Sequence, residues 1–455
     1  MAADQRGGVA VSALRAAASW VRTGRVPGQR PVHPLLPYYF LVGATFLLTG
    51  IGLLEVYSAS TAHNLLTGQA ELGTVERQAV SAVIGVPLLV VAARLPVRFY
   101  RAAAYPLLVV TLILLVLVLM IGRVSTGGNQ NWIQFGPLTV QPSEFAKFAL
   151  VLWGADLLAR KEKRLASWDH LIVPLLPLAG LVIGLVMLGG DMGTSMIIAA
   201  IAFALLWVVG APARLFAVLT GSAAGLAVLA VLVRPSRVRR FTAFLDPAAD
   251  PQGTGFQALH SFSALSTGGW FGVGLGASRE KWGSLPEAQT DFIFAIIGEE
   301  LGLIGALSVL VLFALIGYAG VRIALRAEDT FVRLAAGAVT VWLMAQVMIN
   351  LGAVLGVLPI AGVPLPFVSY GGSSLLPSMA AIGMLVSFAR AGHADPGRAA
   401  APPAPPSGTA TSAGPRADML STRLGASPQA AERSVRARSP GAARPQVQRE
   451  EGRKT

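Results

Sequence analysis

Three carboxylates, Asp291, Glu299 and Glu300, open a long apolar run in LPEAQTDFIFAIIGEE, residues 285–300. Carboxylates inside or at the lip of a membrane helix are costly, and chains that keep them usually use them. Asp291 has the type and place of a catalytic general base that takes a proton from a sugar hydroxyl. That work needs a partly desolvated carboxyl whose pKa is raised. The competing reading is helix chemistry: an Asp stabilises a helix N-terminus by roughly 0.3–1 kcal/mol, and Thr290 can cap as well. Glu299 lies roughly 12 Å further along a straight helix, beyond the ~5–9.5 Å of a carboxylate pair serving one bond. Glu299 and Glu300 are therefore expected to be structural, bonded to polar groups between helices.

Cations come next. Arg234, Arg237, Arg239 and Arg240 cluster in the longest interruption between apolar runs, residues 233–290. Arg holds phosphate through a bidentate fork, so the cluster suits a lipid diphosphate. A solvated basic patch is the other reading, since long loops escape the positive-inside rule. Lys147 follows Glu144 at helical spacing, which fits either a surface ion pair or a phosphate-facing cation. Trp132 reads as an interfacial anchor or a platform for a sugar ring. Asp191, in GGDMGTS, is expected to shape a turn.

These residues need a membrane scaffold. Of 455 residues, 54% are hydrophobic and 13% charged, against about 25% charged in soluble domains. There is no cysteine, so no disulfide and no thiol chemistry. The net charge of +13 resides mostly in tails and short loops, which mark the cytoplasmic side and not a nucleic-acid surface. Ten apolar runs predict ten spans: 38–57, 79–93, 105–121, 145–158, 171–188, 194–209, 215–232, 291–318, 334–355 and 375–388. The fold class is an all-α polytopic bundle with a large extracytoplasmic loop between spans seven and eight. Residues 1–37 read as a basic disordered arm, 38–390 as the membrane domain and 391–455 as a disordered Pro/Ala/Arg-rich tail, with both termini cytoplasmic. The loop over 122–144 is too polar to span and reads as an ordered outer loop. No cleavable signal peptide is expected.

Walker loops, HExxH and a strand-borne GxSxG are absent. No His or Cys set suggests a transition-metal site. A divalent cation, Mg2+ or Mn2+, is the one cofactor left open.

Taken together, LPEAQTDFIFAIIGEELG, NWIQFGPLTVQPSEFAKFALVLWGADLLARK, DMGTS and LPIAGVPLPFVSYGGSS resemble the shape, elongation, division and sporulation family, the FtsW/RodA/SpoVE proteins. The resemblance covers residues 38–390. It implies a ten-span peptidoglycan glycosyltransferase of the plasma membrane that polymerises lipid II on the outer face, at the division septum. The implied partners are a class B penicillin-binding protein, other division proteins and membrane lipid. Asp291 matches the family's essential Asp, and Trp132, Glu144, Lys147 and the arginines match substrate-side positions. Glu287, Ser369 and Gly371 fall inside the motifs and are assigned structural roles with Asp191. Gln289 stands where the family often has His, and Asn131 where it often has Arg. The NQNWI and GGDMGT variants resemble actinobacterial division members. Three readings stay open beside it: an elongation polymerase, a transporter that flips lipid II, and a scaffold that recruits the transpeptidase.

Overall fold

The computed structural model describes residues 36–391, apart from 69–72, 125–128, 136–137, 163–172, 234–237, 239–241, 243, 254 and 284. The chain divides into Met1–Ala399 and Ala400–Thr455, and the second unit lies wholly outside the described residues. Residues 1–35 of the expected arm and all of the expected tail beyond Ala391 also lie outside them.

Each of the ten apolar runs forms a helix. They are α1 (Leu36–Thr67), α2 (Gly73–Arg94), α3 (Val97–Ile121), α4 (Pro142–Arg160), α5 (Leu175–Leu188), α6 (Met192–Val209), α7 (Ala213–Leu232), α9 (Ile293–Arg326), α10 (Thr330–Val354) and α11 (Gly372–Ala391). A further helix, α8 (Phe256–Gly268), lies in the long interruption with a short 3-10 turn at Pro247–Ala249. Among the described residues, seven helices are long and apolar enough to cross a membrane. Helix α5, with 14 residues, is shorter than that, and α4 carries Glu144, Lys147, Asp156 and Arg160 within its 19.

The packing follows from which faces can be buried. Helices α4, α10 and α11 are apolar nearly all round and bury most of their residues, as core helices do. Helix α11 packs on α2, α1 on α9, α9 on α10, and α10 on α6 and α4. The outer helices keep large apolar side chains exposed, among them Leu54, Val83, Ile113 and Val311. That belt is the surface for acyl chains.

Two features depart from the ten-span reading. The polar stretch after α3 folds into a small antiparallel sheet, β1 (Arg123–Val124), β2 (Gln130–Phe135) and β3 (Leu138–Val140). Ile133 pairs with Val140, and Phe135 with Leu138. Helix α9 begins at Ile293, after Asp291, and is broken at Gly302, whose φ of 68° and ψ of −166° are not helical. Asp291 therefore sits in the turn before the helix, and helical rise alone does not set its separation from Glu299.

At the opposite end of α4 from Glu144, Asp156 is buried and pairs with Arg160 at 2.6 Å and Arg101 at 3.6 Å. Arg101 also reaches Asp329 at 3.6 Å. Basic residues that mark one side of the membrane in the sequence thus share one ionic cluster.

Candidate active site at the head of helix α9

The LPEAQTD segment is a tight turn built around Glu287. This residue has φ 57°, a left-handed conformation uncommon for a side chain other than Gly, Asn or Asp. Its carbonyl accepts the N–H groups of Thr290, Asp291 and Phe292 at 3.1, 3.2 and 3.3 Å. Its carboxylate accepts from the Thr290 hydroxyl at 2.7 Å. The N-cap of α9 is Phe292, with no side-chain cap bond. Asp291 is therefore not the capping residue.

The turn is held from two sides. Tyr370 donates its N–H to the Gln289 carbonyl at 2.9 Å. Asn350, on α10, donates from Nδ2 to the Asp291 carbonyl at 2.7 Å and to the Val363 carbonyl at 2.8 Å. Behind Tyr370, the Gln78 amide of α2 takes the N–H of Gly371 at 3.1 Å and gives to the Ser369 carbonyl at 3.2 Å. The Ser369 hydroxyl accepts from Leu365 N–H at 2.8 Å. Ser369 and Gly371 thus shape the turn that braces Gln289.

Asp291 is half-buried. It lines a small open depression with Asn350, Ile360, Ala361 and Gly362. A Cβ built on Gly362 would stand 3.5 Å from the carboxylate Oδ2. Two buried acceptors adjoin the acid with no protein donor, Gln289 Oε1 and Asn350 Oδ1. A half-desolvated carboxylate in an open hollow can take a proton from a hydroxyl. The depression is open to its surroundings, so a sugar here would lie across a surface.

Lys147 and Glu144 form a buried ion pair, with Nζ–Oε distances of 2.7 and 2.8 Å. The lysine is 0% exposed, and its ammonium lies 5.3 Å from the centre of the Trp342 ring. In this conformation Lys147 has no surface with which to touch a diphosphate. Asp191 caps α6: its carboxylate accepts from Thr194 N–H at 2.9 Å and from the Thr194 hydroxyl at 2.7 Å. Gln141 also donates to it at 2.9 Å. Burial pushes the Asp191 carboxyl above the usual range, against the lowering by these hydrogen bonds and by the Lys147 charge.

Trp132 is half-buried in β2. That strand is docked on the α5–α6 turn, Gln130 N–H giving to the Gly189 carbonyl at 2.8 Å. The Asn131 amide nitrogen, turned toward the same carbonyl, is 2.9 Å away. Arg234, Arg237, Arg239 and Arg240 lie outside the described residues. Among the described residues, no three His, Cys, Asp or Glu side chains gather as a metal cage.

Glu299 and Glu300 are buried and knit several elements together. Glu300 accepts from the Ser58 hydroxyl at 2.6 Å and from Lys281 Nζ at 2.9 Å. Glu299 accepts from the Ser278 hydroxyl at 2.5 Å. Sequence reasoning missed Lys281, Ser58, Asn350 and the buried Glu55 of α1. A lone carboxylate at Glu55 inside an apolar run was the available signal.

The family model described as cell cycle protein, FtsW/RodA/SpoVE, matches residues 39–393. A probable peptidoglycan glycosyltransferase FtsW of Mycobacterium tuberculosis is 38% identical over 364 residues, covering 79% of this chain and 68% of that protein. Stage V sporulation protein E of Bacillus subtilis is 39% identical over 355 residues, covering 78% and 97%. Among solved structures, a chain from a peptidoglycan synthase complex that coordinates polymerization and crosslinking superposes with TM-score 0.65 at 31% identity, covering 78% of this chain and 98% of that one. The rod shape determining protein RodA of Thermus thermophilus gives TM-score 0.58 at 29% identity, with the same coverage. With the family's match running from the start of α1 to the end of α11, this chain belongs to the FtsW/RodA/SpoVE family of multi-pass membrane proteins.

Proposed function

We propose that this protein is an FtsW-like peptidoglycan glycosyltransferase that polymerises lipid II on the outer face of the cytoplasmic membrane, with Asp291 as its general base. One observation carries the assignment of the base. A half-buried carboxylate lines an open hollow and sits in a turn that Asn350 and Tyr370 fix from either side. Proton transfer by a positioned side chain contributes typically 10²–10⁴-fold to rate, so this placement matters.

In the reaction, the acceptor sugar's 4-hydroxyl oxygen attacks the donor's anomeric carbon. The anomeric bond to undecaprenyl diphosphate breaks as the new glycosidic bond forms, and the hydroxyl proton passes to Asp291. Charge on the departing diphosphate falls to the long-loop cluster Arg234, Arg237, Arg239 and Arg240, since cations placed where charge develops stabilise the transition state. Lys147 supports the site from within through Glu144 and Trp342. Trp132, half-buried in β2, is the candidate for sugar stacking. Both termini are cytoplasmic, the site of action is the division septum, and a class B penicillin-binding protein crosslinks the product.

Purified protein in liposomes, given labelled lipid II, should make long glycan, and Asp291→Asn should make none while folding normally. Full activity in Asp291→Asn removes the acid from the mechanism. Movement of lipid II across sealed vesicles without any polymer would replace the enzyme by a transporter.

A further inference from the structure

The loop from Gly269 to Lys281, between α8 and the start of α9, shows its largest apolar side chains outward. Trp270 is 68% exposed and Phe271 81%, with Leu275 at 61%. Leaving such side chains in water forgoes the stabilisation that removing apolar surface from water brings. Directly beyond the break at Gly302, Leu303, Ile304, Leu307 and Val311 continue the exposed apolar surface down α9. The loop is also joined to that segment: Leu303 and Ile304 donate their N–H groups to the carbonyls of Gly269 and Trp270 at 2.9 and 3.3 Å. The first N–H groups of a helical segment normally look to water or a cap. Here the loop supplies the acceptors.

The loop's own backbone is provided for in the same way. Non-helical backbone is tolerated at membrane depth only where protein satisfies its polar groups. Val273 and Gly274 donate to the carbonyls of Glu299 and Glu300 at 3.0 and 3.1 Å. Gly276 and Ser278 donate to the Glu300 carboxylate at 2.8 and 3.3 Å, and Arg279 to that of Glu299 at 2.9 Å. Each carboxylate residue is 1% exposed, and Lys281 balances Glu300. The backbones interlock closely: a Cβ on Gly272 would lie 2.0 Å from the Glu300 carbonyl oxygen, and one on Gly302 2.3 Å from the Gly272 nitrogen. The N–H groups of Gly272, Val273, Gly274 and Gly276 thus have protein acceptors, and the outward side is apolar.

We propose that residues 269–276 are a membrane-inserted loop, with Trp270 and Phe271 among the acyl chains of the leaflet at the head of α9. Glu299 and Glu300 contribute by giving acceptors to the N–H groups of Val273, Gly274 and Gly276. This rests on α9 being a span and is independent of the chemistry assigned to Asp291. A single-pass partner helix would also cover an apolar surface. Bilayer is favoured because the exposed row continues into the exposed apolar side chains of α9, a helix long and apolar enough to cross a membrane.

The absence of cysteine makes the test direct. Phe271→Cys and, separately, Trp270→Cys are labelled with an environment-sensitive fluorophore in liposomes of phosphatidylcholine and phosphatidylglycerol. Ala249→Cys, exposed in the acidic turn between Asp246 and Asp250, serves as the water-facing reference. The expected result is blue-shifted emission at both loop positions and a several-fold higher ratio of doxyl-lipid to iodide quenching than at position 249. Thermal unfolding of the unlabelled variants checks the fold, and Phe271→Cys suffices if Trp270→Cys is unstable. Iodide access at position 271 equal to that at 249 overturns the proposal. So does protection that develops only when a single-pass partner is added.

Discussion

Asn350 does as much to define the site as Asp291. Its amide holds the carbonyls of Asp291 and Val363 together, and leaving buried acceptors without donors costs about 1–3 kcal/mol each. Asn350→Leu should therefore lower the thermal unfolding midpoint and slow lipid II polymerisation, while Asn350→Asp, which cannot serve both carbonyls, should not rescue it. Lys147→Met strands Glu144 in the interior. Breaking a buried pair from one side costs about 3–5 kcal/mol, and the double variant with Glu144→Gln should regain a large part of it, as unfolding in detergent will show. Asp191 gives a pH test. Its folded pKa lies above the ordinary 3.8, so the folded state holds the proton more tightly than the unfolded chain. Its contribution to stability is complete below pH 3.8 and is lost as pH rises through the folded value. Asp191→Asn should flatten that part of the stability–pH curve. The acid at 291 was legible from its type and from its place before an apolar run. Asn350 was not, because its partner is 59 positions away and an Asn in an apolar helix does not announce what it binds. The Ser58–Glu300 contact, 242 positions apart, was hidden for the same reason.

At the scale of elements, hydropathy located the ten helices of the apolar runs, because a span must be apolar over a bilayer's thickness, but not α8 in the long interruption. What it could not show was where a helix stops being straight. Gly302 sits in GEELGLIG, where it reads as an ordinary interior glycine, and its left-handed φ of 68° is enforced by the loop packed against it. Gly302→Ala would place a methyl 2.3 Å from the Gly272 nitrogen and add backbone strain of roughly 1–3 kcal/mol. We expect a marked fall in the unfolding midpoint and easier proteolysis within residues 269–283. The sheet β1–β3 was likewise not visible: its strands are short and Gly-flanked, and β2 is fixed by the α5–α6 turn as much as by its own pattern. Lys147 shows the reverse case. Its spacing from Glu144 was plain, but only packing against Trp342 decided that both would be enclosed.

For the whole molecule, the basic short loops set an orientation that can be checked in cells. Lys161→Cys should react with an impermeant maleimide only after the membrane is opened, and Ala249→Cys without opening it. Removing residues 392–455 should leave polymerisation by the purified protein at the full-length rate, since the family's match ends at residue 393. The break at Gly302 has a last consequence, for life in membranes of differing thickness. Hydrophobic mismatch is absorbed by tilting at a modest cost per ångström. The break gives the 24 residues that follow it within α9, ending at Arg326, a direction of their own, packed on α1 and α10. The stretch before it is tied to α10 and the loop. A change of lipid chain length should therefore swing the far end of α9 and leave the acid's surroundings untouched, so that strand synthesis keeps pace while the envelope's lipid composition drifts.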